Sequence, residues 1–254
     1  MRKSLLTSTV LVAFALALPS VASAGWGNGC SLGNTHHCYA IASWAMSGTG
    51  EGGGEEVKGL SSEIYTTAME VPEVKEGGPF VTNEQWAGLG TEKWVEDGQI
   101  AGYDLYTEEG REINGKSLHW FYASNNGSFL LYIAPWTYEG FTWISYTLSD
   151  PSSNGTWCAK IGAVEVGESC RSGFHKYATD VEVGEEAATE SKPENAGKDG
   201  TGVQHLNGNW YHWNSAEWET VDYTGAKSES SYMCVKGYET IAAYINWGTP
   251  NNKC

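Results

Sequence analysis

Residues 80–103 read FVTNEQWAGLGTEKWVEDGQIAGY, and this stretch decides the expected fold. Gly77-Gly78-Pro79 makes a turn ahead of it, Phe80 to Gly88 reads as one strand, and Lys93 to Tyr103 reads as a second. With a side-chain period of two, Trp94 and Glu96 share one face of that second strand and Val95 takes the other.

The same pattern extends outward in both directions. Upstream, residues 37–46 (HCYAIASWAM) read as a strand and 60–69 (LSSEIYTTAM) are rich in β-formers, with a Gly-rich acidic loop between them at 47–58. Downstream, residues 107–116 are polar and turn-like, and 117–123, 128–136 and 141–148 are short strands. Asn126-Gly127 and Asn154-Gly155 mark hairpin turns. Residues 155–164 and 173–187 continue the series, 188–202 form a polar loop, and 209–222 read as a strand pair. Residues 232–246 fit a helix or a strand equally. No sustained 3.6-residue apolar stripe and no long repeat appears. The expectation is an all-β chain, an antiparallel β-sandwich or jelly roll.

Residues 1–24 have the form of an export signal. Arg2-Lys3 supplies the charged start, Leu5 to Leu18 is almost wholly apolar, and Ala22-Ser23-Ala24 is a small-residue cleavage site. The expected organisation is therefore a signal peptide at 1–24 and a single secreted domain at 25–254. The formal net charge of −16, more negative still once Arg2 and Lys3 depart, argues against nucleic acid as a partner. After Leu18 no apolar run is long enough to anchor the chain in a membrane.

Six cysteines follow the signal, and an even count in an exported chain reads as disulfides. Sequence neighbours suggest Cys30–Cys38, Cys158–Cys170 and Cys234–Cys254. A metal reading of Cys30 with His36-His37-Cys38 lacks a second ligand cluster, so no metal is expected. His119, between Leu118 and Trp120 on a strand, reads as a packed structural histidine.

Two acid sites stand out. Glu96 lies beside Trp94 on one strand face, where an indole desolvates the carboxyl and raises its pKa. In Val181-Glu182-Val183-Gly184-Glu185-Glu186, one face carries Glu182, Gly184 and Glu186, and Gly184 leaves a gap. If the two strands are neighbours, Glu96 and Glu186 face each other and share a water, one as base and one as acid.

At these residues the chain resembles glutamic peptidases of the eqolisin/neprosin type. Trp86-Ala87-Gly88-Leu89-Gly90 followed by Val95-Glu96-Asp97-Gly98 is similar to their tryptophan strand and first catalytic residue. The pair Glu182…Glu186 is similar to the segment that ends in the second. The resemblance covers roughly residues 38–190 and implies a concanavalin-like β-sandwich. It also implies an acid-active endopeptidase with Glu96 and Glu186 catalytic, on adjacent strands, and Trp86, Trp94 and Glu182 at the substrate. No cofactor would be needed, and the partner would be an extracellular protein or peptide substrate. Asp97 and Glu185 depart from the family pattern and put extra charge near the dyad. The chain also resembles a group of exported actinobacterial proteins.

Two other readings fit the composition. Twelve Trp and 14 Tyr on a sandwich can stack on sugars, with Trp210, Tyr211, His212, Trp213 and Trp218 as candidates for a glycan-binding module. Paired carboxylates also suit a glycosidase, but no ExDxE-type strand is present.

Overall fold

The computed structural model describes residues 37–45, 57–65, 68–71, 79–137, 143–162, 164–188, 194–196, 208–212, 218–220, 226–229, 233–236 and 246–248, and structural statements concern these. They contain strands and no helix. In chain order these are β1 (His37–Ala45), β2 (Val57–Tyr65), β3 (Ala68–Glu70), β4 (Phe80–Gly88), β5 (Trp94–Gly102), β6 (His119–Asn125), β7 (Phe129–Thr137), β8 (Trp143–Ser149) and β9 (Trp157–Ile161). Then follow β10 (Val164–Arg171), β11 (Asp180–Ala188), β12 (Glu194–Ala196), β13 (Gly208–His212), β14 (Trp218–Thr220), β15 (Ala226–Glu229), β16 (Cys234–Lys236) and β17 (Asn246–Gly248).

Seven strands form one antiparallel sheet in the order β15-β1-β11-β4-β5-β6-β7, and six form a second in the order β10-β9-β8-β2-β13-β14. Their facing sides make the main core. Trp44, Val81, Ala87, Val95, Ala101, Val181 and Val183 from the larger sheet pack with Leu60, Ile64, Tyr146, Leu148, Trp157 and Ile161 from the smaller. Burying a large apolar side chain of this kind contributes about 1.5–3 kcal/mol each. Trp157 is fully buried and still satisfies its indole N–H, which donates to the His175 carbonyl at 2.8 Å. The chain is thus an antiparallel β-sandwich, as the strand spacing predicts.

A second, smaller core lies on the outer side of the larger sheet. Ile100, Phe121, Ala123 and Ile133 form it together with Ile113, and Phe80, Trp94, Leu105 and Leu131 pack against it. Residues 107–116, expected to be only a polar turn, return Ile113 to this cluster through a backbone bond from Ile113 N–H to the Leu105 carbonyl at 2.9 Å. One half of the outer face is therefore apolar and covered.

Strand placement agrees closely at β4 and β5. It differs where long-range contacts decide. The run at 60–69 is split between β2 and β3, and the strand expected from 173 begins only at Asp180. Residues before Asp180 fold irregularly because Phe174 and Ala178 turn into the core, and Ala178 N–H donates to the Val57 carbonyl at 2.7 Å. The expected strand at 155–164 ends at Ile161, where Gly162 (φ 60°) turns the chain back into β10. Of residues 232–246, Cys234–Lys236 and Asn246 are strand, and no described residue there is helical. His119 is buried, with Nδ1 2.9 Å from the Ala134 carbonyl oxygen.

Cys158 and Cys170 are bonded across the β9–β10 pair, as expected. Cys38 and Cys234 are disulfide-bonded too. Their expected partners, Cys30 and Cys254, lie outside the described residues, as does the export signal.

Candidate active site

The outer face of the larger sheet is read off the register. Glu182 of β11, Trp86 of β4 and Glu96 of β5 form one cross-strand row. The next row runs Ile41, Gly184, Glu84, Gly98. Beyond it Tyr39 lies opposite Glu186. All five residues expected at the site (Glu96, Glu186, Trp86, Trp94 and Glu182) fall on this one face.

The strands that carry Glu96 and Glu186 are not adjacent, contrary to expectation: β4 runs between β5 and β11. It brings a third acid, Glu84, into the space between them. Carboxylate oxygens of Glu84, Glu96 and Glu186 all lie within 4.8 Å of one another. Two glycines allow this convergence. A Cβ on Gly98 would strike the Asn83 carbonyl and come within 2.9 Å of the Glu84 Cβ, and one on Gly184 would strike the Ala40 carbonyl. With no side chain on either side of Glu84, the longer acids lean across the row and meet over it.

β1 completes the group. His37 Nδ1 is hydrogen-bonded to Glu186 Oε1, and the imidazole stands edge-on to Phe80 at 5.7 Å between ring centres. The Tyr39 hydroxyl also bonds Glu186. The β4–β11 pairing lapses at Glu185 and Glu186, and Thr82 fills the gap. Its hydroxyl accepts from Glu186 N–H at 3.1 Å and donates to the Glu186 carbonyl at 3.3 Å.

Exposure grades across the cluster. Glu84 is buried at 3% exposure and forms the floor, with its Oε2 lacking a hydrogen-bond partner. Glu96 and Glu186 are half-buried and reach the surface. Trp86 is buried between the Glu96 and Glu182 positions and stands at 78° to Trp94, 5.8 Å between ring centres. Trp94 in turn meets the exposed Phe129 at 6.1 Å.

Three close acids cannot all ionise. Burial first, then the charges of Glu96 and Glu186, push the Glu84 carboxyl well above the ordinary 4.5, with a Thr82 hydrogen bond opposing. Burial first, then the charges of Glu186 and Asp97, push Glu96 up in the same way. Burial, with Asp180 and Glu186 adding, pushes Glu182 up to about 8. Burial alone would lower His37, but the hydrogen bond and charge of Glu186 outweigh it and hold the imidazole above its ordinary 6.5. The cluster thus combines a hydrogen-bonded pair, His37 with Glu186, and two carboxyls that burial and neighbouring charge bias toward the protonated form.

Asp97 and Glu185, expected to put charge near the dyad, lie on the other face of the sheet, and the Asp97 charge still acts on Glu96 through the sheet. Both point the other way, into the space between the sheets, at 0% exposure. The metal reading of His37 with Cys38 fails for the same reason. Neighbours on a strand face opposite sides, and Cys38 is tied up in a disulfide. Among the described residues the three glutamates are the one acid or His/Cys group able to offer a metal three donor atoms. The side chains of Trp210, Tyr211, His212, Trp213 and Trp218, the glycan candidates, lie outside the described residues.

No family model and no curated protein matches the chain. Among solved structures, a crystal structure of scytalido-glutamic peptidase with a peptide based transition state analog aligns over 85% of this chain and 100% of that one, at 9% identity and a TM-score of 0.49. A second, with a transition state analog inhibitor, aligns over the same shares at 7% identity and a TM-score of 0.48. Likeness at this distance concerns overall fold alone. Neither match speaks for the actinobacterial group.

Proposed function

We propose that this chain is a secreted, acid-active glutamic endopeptidase that uses Glu96 and Glu186 on an activated water, without a metal. The supporting observation is the convergence of their carboxylate oxygens within 4.8 Å on a half-open sheet face. That spacing lets one water reach both groups.

The surroundings favour a division of roles. Glu186, hydrogen-bonded to His37, is assigned as the base on the water. Glu96, which keeps its proton, is the acid that protonates the departing amine nitrogen. Trp86, Trp94 and Glu182 border the acids and are assigned to the substrate. Trp94 and Phe129 extend an aromatic wall away from Glu96, suited to a large apolar side chain of a bound peptide.

The test is cleavage of unfolded protein across pH 3–8 with a chelator present. Glu96→Gln and Glu186→Gln should each lower kcat by about 10²–10⁴-fold, the usual worth of a positioned acid or base. Full activity in either variant, or loss of activity on chelation in the wild type, would rule the reading out. Because Glu96 holds its proton well above the ordinary carboxyl range, activity should extend further toward neutrality than the pH 3–5 window of an unperturbed pair.

A further inference from the structure

We propose that Glu84 is a proton relay which resets the Glu96/Glu186 pair after each turnover, an inference that rests on the peptidase reading above.

The need for a reset follows from proton bookkeeping. In the forward reaction Glu186 takes a proton from water as the water oxygen bonds to the carbonyl carbon. Glu96 gives its proton to the amide nitrogen as the C–N bond breaks. The products are a carboxylic acid and an amine, and the enzyme is left with Glu186 protonated and Glu96 ionised. This is the reverse of the starting arrangement, so Glu186 has to lose a proton and Glu96 has to gain one before the next cycle.

Glu84 is built into the position that can pass it. It lies on β4, the strand between the two that carry the dyad, and its carboxylate is within 4.8 Å of both partners. Glu96 and Glu186 open to the front, where product sits. Glu84 is beneath them at 3% exposure and stays in reach while the front is covered. Its Oε2 is buried with no hydrogen-bond partner among the described residues, so the carboxyl is not locked into a fixed network at that oxygen. Gly98 and Gly184, its neighbours across the row, place no side chain on either flank. The titratable groups that interact with it are Glu96 from β5 and Glu182 and Glu186 from β11, with Tyr39 and His37 from β1 bonded to Glu186. In the relay Glu84 gives its proton to ionised Glu96 and takes one from protonated Glu186. No proton is gained or lost overall, and His37 stays paired with the restored Glu186 carboxylate.

Glu84 acts through the dyad rather than on the peptide, and that predicts a particular kinetic signature. On the full chain, with oxidised insulin B chain as probe, Glu84→Gln should give a first turnover at the wild-type rate. A steady state slower by about tenfold or more should follow, with KM little changed. Glu84→Asp, which keeps a carboxyl but shortens it, should recover part of the steady-state rate. A merely structural role predicts the opposite ranking, since Gln keeps the shape and Asp does not. Equal loss in the first and later turnovers, or a milder defect in Gln than in Asp, overturns the relay. Full activity in Glu96→Gln would instead sink the peptidase reading itself, whatever Glu84 does.

Discussion

The strands β11, β4 and β5 carry two polar layers, one on each side of the sheet. Outward lie Glu84, Glu96, Glu182 and Glu186, and inward lie Asn83, Gln85, Asp97, Gln99 and Glu185, each of the inward five at 0% exposure. Glu96 and Asp97 are chain neighbours and bring out the contrast. Burial pushes both carboxyls well up. Both Asp97 oxygens are buried without a hydrogen-bond partner among the described residues, with only the nearby Gln85 side chain to ease the charge, and the Gln85 carbonyl accepts from the Ser62 hydroxyl at 2.6 Å. Glu96 shares its space with two other acids, and the group includes one cation, His37. Acid richness alone therefore says little about chemistry. What separates the layers is convergence, a counter-charge that splits the protonation states, and a way in from the surface.

The sharpest way to break this contrast is to neutralise one acid from each layer. Glu186→Gln should reduce cleavage by about 10²–10⁴-fold, whereas Asp97→Asn should leave it within about threefold. Comparable losses from both would mean that the inward layer also serves the reaction.

Removing the cation comes next. His37→Gln deprives Glu186 of its charged partner, so the acid limb of the activity profile should move to higher pH and kcat should fall by about tenfold. An unchanged profile would show that the ion pair is irrelevant to the outward layer.

A third measurement compares stability across pH. Glu84, Glu96, Asp97 and Glu182 all have folded-state pKa values above their ordinary 4.5 or 3.8. Between the unfolded and folded values the native state binds more protons, so the stability they confer is complete below about pH 4 and is lost as pH rises. The Glu182 contribution runs out near pH 8. His37, also raised, acts in the same direction above its ordinary 6.5. The melting temperature should drop by roughly 5–10 °C between pH 4.5 and pH 8. A rise over that interval would contradict the assigned protonation states.

The smallest effect isolates the inward layer. Asp97→Asn removes one buried group that resists ionisation, and it should raise the melting temperature at pH 8 by about 2–4 °C while leaving it nearly unchanged at pH 4.

Much of this was legible in the sequence because it is local. The bounds of β4 match the reading of residues 80–88, and the shared faces of Trp94 with Glu96 and of Glu182 with Glu186 follow from alternation alone. Glu84 was missed for a physical reason. Thr82, Asn83, Glu84 and Gln85 are four polar residues in a row, and a strand with polar side chains on both faces carries no inside–outside signal. The order of strands was hidden as well. β4 lies between β5 and β11 because of pairing between residues about a hundred positions apart, and no local pattern encodes that. In the sequence His37 stands out only through its neighbour Cys38, since the acid it serves lies 149 residues away.

The lapse in the ladder at Glu186 gives the molecule a gauge of its own assembly. A hydroxyl, not a peptide carbonyl, receives that residue's main-chain proton. The amide resonance of this one position will therefore register any movement of Thr82, and with it whether the acids above have gathered or drawn apart.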